Sequence, residues 1–110
     1  MDLYLLENVE STFLKKAKND YANYLNKIAW NSTELNSNLQ NALNKINKGL
    51  DLINTENQSY PYLLDTKAEV LWKMGDINNA IKIIDKAILL DFENEYYKLQ
   101  KEKFLKEFSL

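Results

Sequence analysis

Two carboxylates, Asp65 and Glu69, are the side chains whose spacing in this sequence comes nearest to that of a catalytic pair. They lie four positions apart, so on a helix they share one face, as the acid and base of a glycosidase-like site would require. Like charges at this spacing are more often found on a solvent-exposed helix face. We therefore expect no catalytic residue at this pair, and no enzymatic activity in the chain.

The residue types that most often carry catalysis or bind metals are absent. The 110 residues include no Cys and no His, and all 14 basic residues are Lys, so there is no Arg. Their absence excludes thiol nucleophiles, Cys/His zinc sites, histidine bases and bidentate arginine clamps. The acidic segment 91–95 lacks the glycine and the spacing of a calcium loop, and Gly49 and Gly75 are too isolated to form a phosphate loop. We expect no metal and no cofactor.

The charge balance limits the classes of partner. Fourteen Lys against 16 Asp and Glu give a net charge of -2, which disfavours binding to a nucleic-acid backbone. The densest basic cluster, Lys15, Lys16 and Lys18, is typical of a solvated helix face. The sequence has no apolar run of the ~18 residues that a membrane span needs, and its first residues lack the basic start of a signal peptide. These features predict a cytoplasmic protein that binds neither nucleic acid nor membranes.

The scarcity of glycine and proline predicts an all-α fold. Two Gly and one Pro are too few for the turns of a β-protein. Apolar residues recur every three or four positions over residues 5–30, as on a helix. Asn19 and Asp20 interrupt this segment with side chains that prefer helix ends, so a break between two helices is slightly favoured and remains open.

Polar loops and capping residues predict the remaining helix boundaries. Ser37 and Gln40 have the spacing of a capping box, after a predicted loop at 31–36. Pro61 suits the first turn of the next helix, and Gly75 suits the position just after its end. Asp76 can cap the helix that follows, and a break at 91–94 precedes a final amphipathic helix.

Two helix pairs in the sequence are related by an internal repeat. Equivalent residues are separated by 39 positions in the first helix of each pair and by 38 in the second. The matched residues are Leu25 with Leu64, Ala29 with Ala68, Ala42 with Ala80, Ile46 with Ile84, and Gly49 with Ala87. A period of this length is typical of helical repeat proteins, in which each unit packs on the next.

The second pair resembles a tetratricopeptide repeat (TPR). The residues that carry the resemblance are Leu64, Ala68, Leu71, Gly75, Ala80, Ile84 and Ala87. Lys67 and Phe92 depart from the pattern, since the family favours a large apolar residue and a proline at these positions. The first pair matches less well, because it has no glycine in its turn and its period exceeds the usual ~34 residues. The chain also resembles terminal repeats of bacterial TPR proteins, which leaves open whether it is a whole protein or part of one.

The resemblance implies antiparallel helix pairs stacked as a short solenoid. One domain would span residues 1–110, with an N-terminal helix at 1–20, helix pairs at 21–54 and 60–90, and a capping helix at 94–108. In this family the first helix of each pair lines a concave groove that binds a peptide. The corresponding residues here are Asn23, Asn26, Lys27, Trp30, Tyr62, Asp65, Glu69, Trp72 and Lys73.

These groove residues favour a partner held by aromatic packing and amide hydrogen bonds. Whether Trp30 and Trp72 line the groove or pack between helices remains open. Family members that bind a C-terminal carboxylate use Lys, Arg and Asn in the groove. Here Arg is absent, and Trp30 and Thr66 occupy positions where amides would be expected, so that variant of the site is not predicted.

We therefore expect a non-catalytic module that binds a peptide or protein partner, with two alternatives. The chain could instead form a structural homodimer through an apolar surface, or be a non-catalytic regulatory part of a larger protein. Candidate dimer surfaces are the N-terminal stripe of Leu3, Leu5, Leu6, Val9 and Phe13, and the terminal aromatic residues Tyr97, Phe104 and Phe108.

Overall fold

The described part of the chain is entirely helical. The computed structural model describes the backbone of residues 3–108 and the side chains of residues 11–106. Five α-helices cover this range, with no strand among these residues, which confirms the all-α prediction. The helices are α1 (Leu3–Leu35), α2 (Leu39–Leu52), α3 (Tyr60–Lys73), α4 (Ile77–Leu90) and α5 (Glu95–Phe108).

The helices pack mainly with their neighbours in sequence. Short turns join α1 to α2 and α3 to α4, and each of these pairs packs closely together. The first helix of each pair is also in contact with the other pair, because α3 packs against both α1 and α2. Helix α5 covers the end of the second pair by packing against α4. The described residues therefore form two helical hairpins and one further helix.

Both hairpins turn through the same backbone motif. Gly75 has φ 87°, and the next amide, of Asp76, donates to the carbonyl of Leu71 (2.8 Å). Asn36 has φ 50°, and the next amide, of Ser37, donates to the carbonyl of Ser32 (3.1 Å). Both are Schellman motifs, in which a left-handed residue ends the helix. Asn36 takes the place of the glycine that the first turn lacks, since asparagine tolerates this conformation better than most residues do.

The favoured break at Asn19 and Asp20 is wrong, because α1 continues through both residues. Their polar side chains have partners that leave the helical backbone undisturbed. Asn19 Oδ1 accepts from Asn57 Nδ2 (3.0 Å), and Asp20 pairs with Lys16 one turn earlier (3.1 Å). Asparagine and aspartate interrupt helices by competing for backbone hydrogen bonds, and side-chain partners remove that competition here.

The predicted loop at 31–36 is also wrong up to Leu35, where α1 ends. Ser32 and Thr33 remain helical because their hydroxyls donate back to the carbonyls of Ile28 (3.3 Å) and Trp30 (2.6 Å). Thr33 is buried. Short polar residues in this segment thus satisfy their hydroxyl groups within the helix, which their composition alone did not indicate.

The predicted capping box does not form. The residue that precedes α2 is Asn38, which has no side-chain capping bond, and Gln40 donates to Asn44 Oδ1 instead (3.1 Å). In the second pair, Pro61 lies in the first turn of α3 and Asp76 accepts from the amide of Asn79 (3.4 Å) at the start of α4, as the sequence predicted for these two residues. The predicted final helix is also present as α5.

Small residues allow the helices of the first hairpin to approach α3 closely. Ala22, Ala29 and Ala42 are buried beside Leu63. A Cβ atom on Gly49 would lie 3.0 Å from Leu63 Cδ2 and 3.4 Å from the carbonyl oxygen of Ala22. The glycine therefore leaves space for α3 against α1 and α2.

The second pair has its own apolar core, which includes aromatic residues of α5. Tyr97 and Phe104 are buried with Leu64, Ala68 and Ile84. The suggestion that terminal aromatic residues form a dimer surface is therefore wrong for Tyr97 and Phe104, because the second pair already covers them. The side chain of Phe108 lies outside the described residues.

The N-terminal part of α1 extends beyond the hairpin. Helix α1 has 33 residues and α2 has 14, and every side chain from 11 to 18 is exposed, including Phe13 at 76%. Leu3, Leu5, Leu6 and Val9 of the predicted stripe lie outside the described side chains. Among the described helices, none has the length and apolar character needed to cross a membrane.

Candidate functional site

The predicted residues of α3 lie on one side of the helix, where α5 approaches it. Asp65 and Glu69 are each only 6% exposed, although the sequence indicated a solvent-exposed pair, so that expectation is wrong. Tyr62 and Lys73 are exposed near the two ends of α3, and Trp72 is half-buried. The face thus has a buried acidic centre between aromatic residues.

Two side chains of α5 bind the buried carboxylates. Gln100 Nε2 donates to Asp65 Oδ1 (3.1 Å) and to Glu69 Oε2 (2.8 Å). Lys103 Nζ forms a salt bridge with Glu69, with 2.8 Å to Oε2 and 3.0 Å to Oε1. Buried acids need such partners, because an unpaired charge away from water is costly. The two buried carboxylates, through Gln100 and Lys103, therefore join α3 to α5.

The local environment changes the acidity of Asp65. Burial, opposed by the hydrogen bond from Gln100 and reinforced by the charge of Glu69, raises the pKa of Asp65 from 3.8 to about 6. The more distant Lys103 lowers this pKa, by a smaller effect. Asp65 is thus the described carboxyl group for which folding most clearly favours the protonated form.

Trp72 contacts α5 on one side and remains partly accessible. Its ring centroid lies 5.7 Å from that of Phe104. Lys103 Nζ lies 4.3 Å from the Trp72 ring centroid and Lys73 Nζ lies 5.2 Å from it, within the range of cation–π attraction. The structure therefore gives Trp72 both roles that the sequence left open, as a packing residue and as part of a surface.

Three tyrosines lie at the other end of this face. Tyr62 is 56% exposed and makes an edge contact with buried Tyr97 (6.4 Å between centroids). Tyr96 is 46% exposed and contacts the same ring (6.1 Å). Burial and the charges of Asp65 and Glu69 raise the pKa of Tyr96. We call Tyr62, Trp72 and Tyr96, with the buried acids between them, the aromatic face.

The predicted binding residues of α1 form no hydrogen bond with the aromatic face among the described residues. Trp30 is half-buried, and its Nε1 donates to Glu34 Oε1 (3.0 Å). Asn26 Oδ1 is buried without a hydrogen-bond partner among the described residues, Asn23 is half-buried and Lys27 is exposed. Helix α1 packs against α3, but within residues 11–106 no hydrogen bond joins these four side chains to the aromatic face.

The aromatic face has the dimensions of a short peptide site. Tyr62 and Trp72 are ten residues apart on α3, which corresponds to about 15 Å along a helix. Each lines a cavity, one of about 420 Å³ with Pro61 and Asp91 and the other of about 280 Å³ with Gly75. An extended peptide covers 15 Å with about five residues.

Sequence reasoning missed the contribution of α5. Tyr96, Gln100 and Lys103 complete the face, yet the sequence assigned α5 only a capping role or a dimer surface formed by other residues. The spacing of Tyr96, Gln100 and Lys103, at steps of four and three, places them on one face of a helix and was the available signal. It did not indicate which helix they contact.

The described side chains do not favour metal chemistry at this face. Within the described residues, no group of three or more acidic side chains is arranged to hold a metal ion.

The chain matches no protein-family model, no curated protein and no solved structure. Functional inference therefore depends on the geometry of the aromatic face.

Proposed function

We propose that the protein is a non-catalytic interaction module that binds a peptide segment of a partner across the aromatic face. The observation that carries this proposal is the exposure of Tyr62 and Tyr96 beside a buried, hydrogen-bonded acidic centre. Tyrosine and tryptophan in such settings provide much of the binding energy of protein interfaces. Because these side chains have only two torsions, they lose little conformational entropy when they become ordered on binding.

The bonds between α3 and α5 support a preformed site. Gln100 and Lys103 hold the acids, and Trp72 packs on Phe104, so the rings are positioned before a partner arrives. Preformed surfaces lose less conformational entropy on binding. Since α5 binds Asp65 Oδ1 and both carboxylate oxygens of Glu69, these two acids act as structural residues in this proposal, and binding requires no catalytic step.

We also propose that the fold is a short TPR-like solenoid. The shared turn supports it, because Asn36 lies 39 positions before Gly75, the same separation as between Leu25 and Leu64. Equivalent positions on α1 and α3 are thus followed by the same Schellman motif. In such an array the aromatic face belongs to the groove lined by the first helices of the units.

A display selection followed by calorimetry tests the binding proposal. Peptides are selected from a random library against the full chain, and their affinities are measured for wild type, Tyr62→Ala and Tyr96→Ala. We expect at least a tenfold loss of affinity for each variant, since each removes an exposed aromatic contact.

Tyr24→Ala is the matched control for this experiment. Tyr24 is 62% exposed on α1, and its ring contacts that of Tyr21, which among the described residues has no contact with the aromatic face. The control variant should retain wild-type affinity. Unchanged binding by both Tyr62→Ala and Tyr96→Ala would refute the aromatic face as the site.

A second candidate function is homodimerisation through the N-terminal part of α1. Residues 11–18 are all exposed, and they include Phe13 (76%) and Leu14 (55%). In the sequence, Glu7 and Glu10 precede Phe13 whereas Lys15, Lys16 and Lys18 follow it. Antiparallel pairing of two copies would therefore place acidic residues of each chain opposite lysines of the other.

Sedimentation of the full chain at several concentrations tests this second candidate. We expect a concentration-dependent dimer for wild type and a monomer for Phe13→Glu. Leu89→Glu is the control, because Leu89 is similarly exposed (80%) but lies on α4. A wild-type monomer at every concentration would exclude the dimer.

A further inference from the structure

A cleft on the opposite side of α3 from the aromatic face concentrates positive charge. It has a volume of about 380 Å³, and Lys67 of α3 lines it together with Lys82 and Lys86 of α4. None of the residues that line this cleft is acidic. We call it the lysine cleft.

Neighbouring acids leave this positive charge largely uncompensated. Asp85 lies between Lys82 and Lys86 in the sequence, but it forms its salt bridge with Lys101 of α5 (2.8 Å). Burial and the charge of Lys86 lower the pKa of Lys67, and Asp51 opposes this effect. Lys82 and Lys86 are four residues apart on α4, so their like charges lie one helical turn from each other.

The remaining walls of the cleft combine amides with apolar side chains. Asn47 and Asn79 line it, and the Asn79 side chain donates to Asp76 (2.7 Å), the residue that caps α4. Leu43, Leu71 and Ile83 provide its apolar surface. A suitable ligand would therefore carry negative charge and an apolar group close together.

We propose that the lysine cleft binds an acidic peptide segment with bulky apolar side chains, such as alternating glutamate and leucine. Lysine ammonium groups attract carboxylates as point charges, without the fixed geometry of arginine. The carboxylates would neutralise the three lysines, while the leucines would cover the apolar surface of the cleft. This proposal concerns the opposite side of α3 and does not depend on peptide binding at the aromatic face.

NMR titration of the full chain with defined peptides tests the proposal. The probe is acetyl-Glu-Leu-Glu-Leu-Glu-amide, and the matched controls are acetyl-Gln-Leu-Gln-Leu-Gln-amide and inorganic phosphate. We expect the acidic peptide to shift the amide signals of Lys67, Asn79 and Ile83, with the neutral peptide and phosphate binding at least tenfold more weakly. Added salt should weaken the acidic peptide's binding.

Two charge-matched variants locate the binding. Lys67→Met should weaken the acidic peptide's affinity about five- to tenfold. Lys106→Met removes the same charge from an exposed position of α5 outside the cleft and should leave affinity unchanged. Tyr62→Ala should also have no effect, which separates this site from the aromatic face.

Several results would overturn the proposal. They are equal binding of the neutral peptide, equal binding of phosphate alone, equal losses in Lys67→Met and Lys106→Met, or no shift of the cleft signals. Circular dichroism of each variant shows whether its fold is intact, and Lys82→Met provides a second cleft variant if Lys67→Met does not fold.

Discussion

Asp65 shows how burial changes the role of a residue that sequence reasoning placed in solvent. Its carboxyl group is buried by α5 and receives one hydrogen bond, from Gln100. The spacing of Asp65 and Glu69 identified the pair, but their partners lie 31 to 35 residues further along the chain. Local periodicity cannot predict such contacts, because they depend on how α5 packs.

The raised pKa of Asp65 predicts a specific pH dependence of stability. Between its unfolded pKa of 3.8 and its folded pKa of about 6, the folded state binds more protons than the unfolded state does. This group's contribution to the free energy of unfolding therefore falls as the pH rises through that window, by at most about 3 kcal/mol.

Asp65→Asn should remove this fall, since asparagine can still accept from Gln100 but does not titrate. Chemical denaturation from about pH 4 to pH 7 should show the variant gaining stability relative to wild type as the pH rises. Asp20→Asn, at an exposed residue of α1, is the control. If the free energies of unfolding of Asp65→Asn and wild type differ by the same amount across this range, the pKa of Asp65 is not raised by folding.

Gln100 should contribute to stability through both carboxylates. Gln100→Leu removes the donor to Asp65 and Glu69, which leaves their oxygens buried with fewer partners. We expect a loss of about 1–3 kcal/mol in the free energy of unfolding near neutral pH, measured by urea denaturation. Gln58→Leu, in the exposed loop before α3, should change stability by less than about 0.5 kcal/mol. Equal losses of unfolding free energy in the two variants would contradict a stabilising role for the hydrogen bonds of Gln100.

Among the helices and turns, the second hairpin was the most predictable from sequence. Pro61, Gly75 and Asp76 act through local backbone geometry, and each lies where the sequence placed it. The first hairpin was less predictable because its turn uses Asn36 in place of glycine. Asparagine is common in loops, caps and helices of this chain, so its type alone does not identify the left-handed position.

The Schellman turn of the second hairpin predicts how substitutions of Gly75 change stability. Gly75→Ala places a Cβ on a residue with φ 87°. Beyond the two neighbouring residues in the chain, no heavy atom would lie within 4 Å of this Cβ, so the loss of stability comes from the backbone conformation. We expect a loss of about 1 kcal/mol in the free energy of unfolding. Gly75→Asn should cost less, as Asn36 indicates. Thermal denaturation of both variants tests this, and an alanine variant as stable as wild type would contradict it.

At the scale of the whole molecule, α5 determines which surfaces remain available for binding. It packs its own Tyr97 and Phe104 against the second pair, holds the acids of α3 and leaves Tyr62 and Tyr96 exposed. The repeat predicted two similar hairpins, and both are present as helix pairs. It could not predict that α5 completes the candidate site, since the repeat covers the two hairpins and does not include this helix.

The two tryptophans of the chain allow a direct measurement of whether a partner peptide binds across the aromatic face. Their indole N–H groups give one NMR signal each, from Trp72 on α3 and Trp30 on α1. Trp30→Phe assigns the two signals. In a titration with a peptide selected against the chain, we expect the Trp72 indole signal to shift in proportion to the bound fraction, and Tyr62→Ala to weaken that response. A peptide that binds without shifting the Trp72 indole signal would contradict binding across the aromatic face.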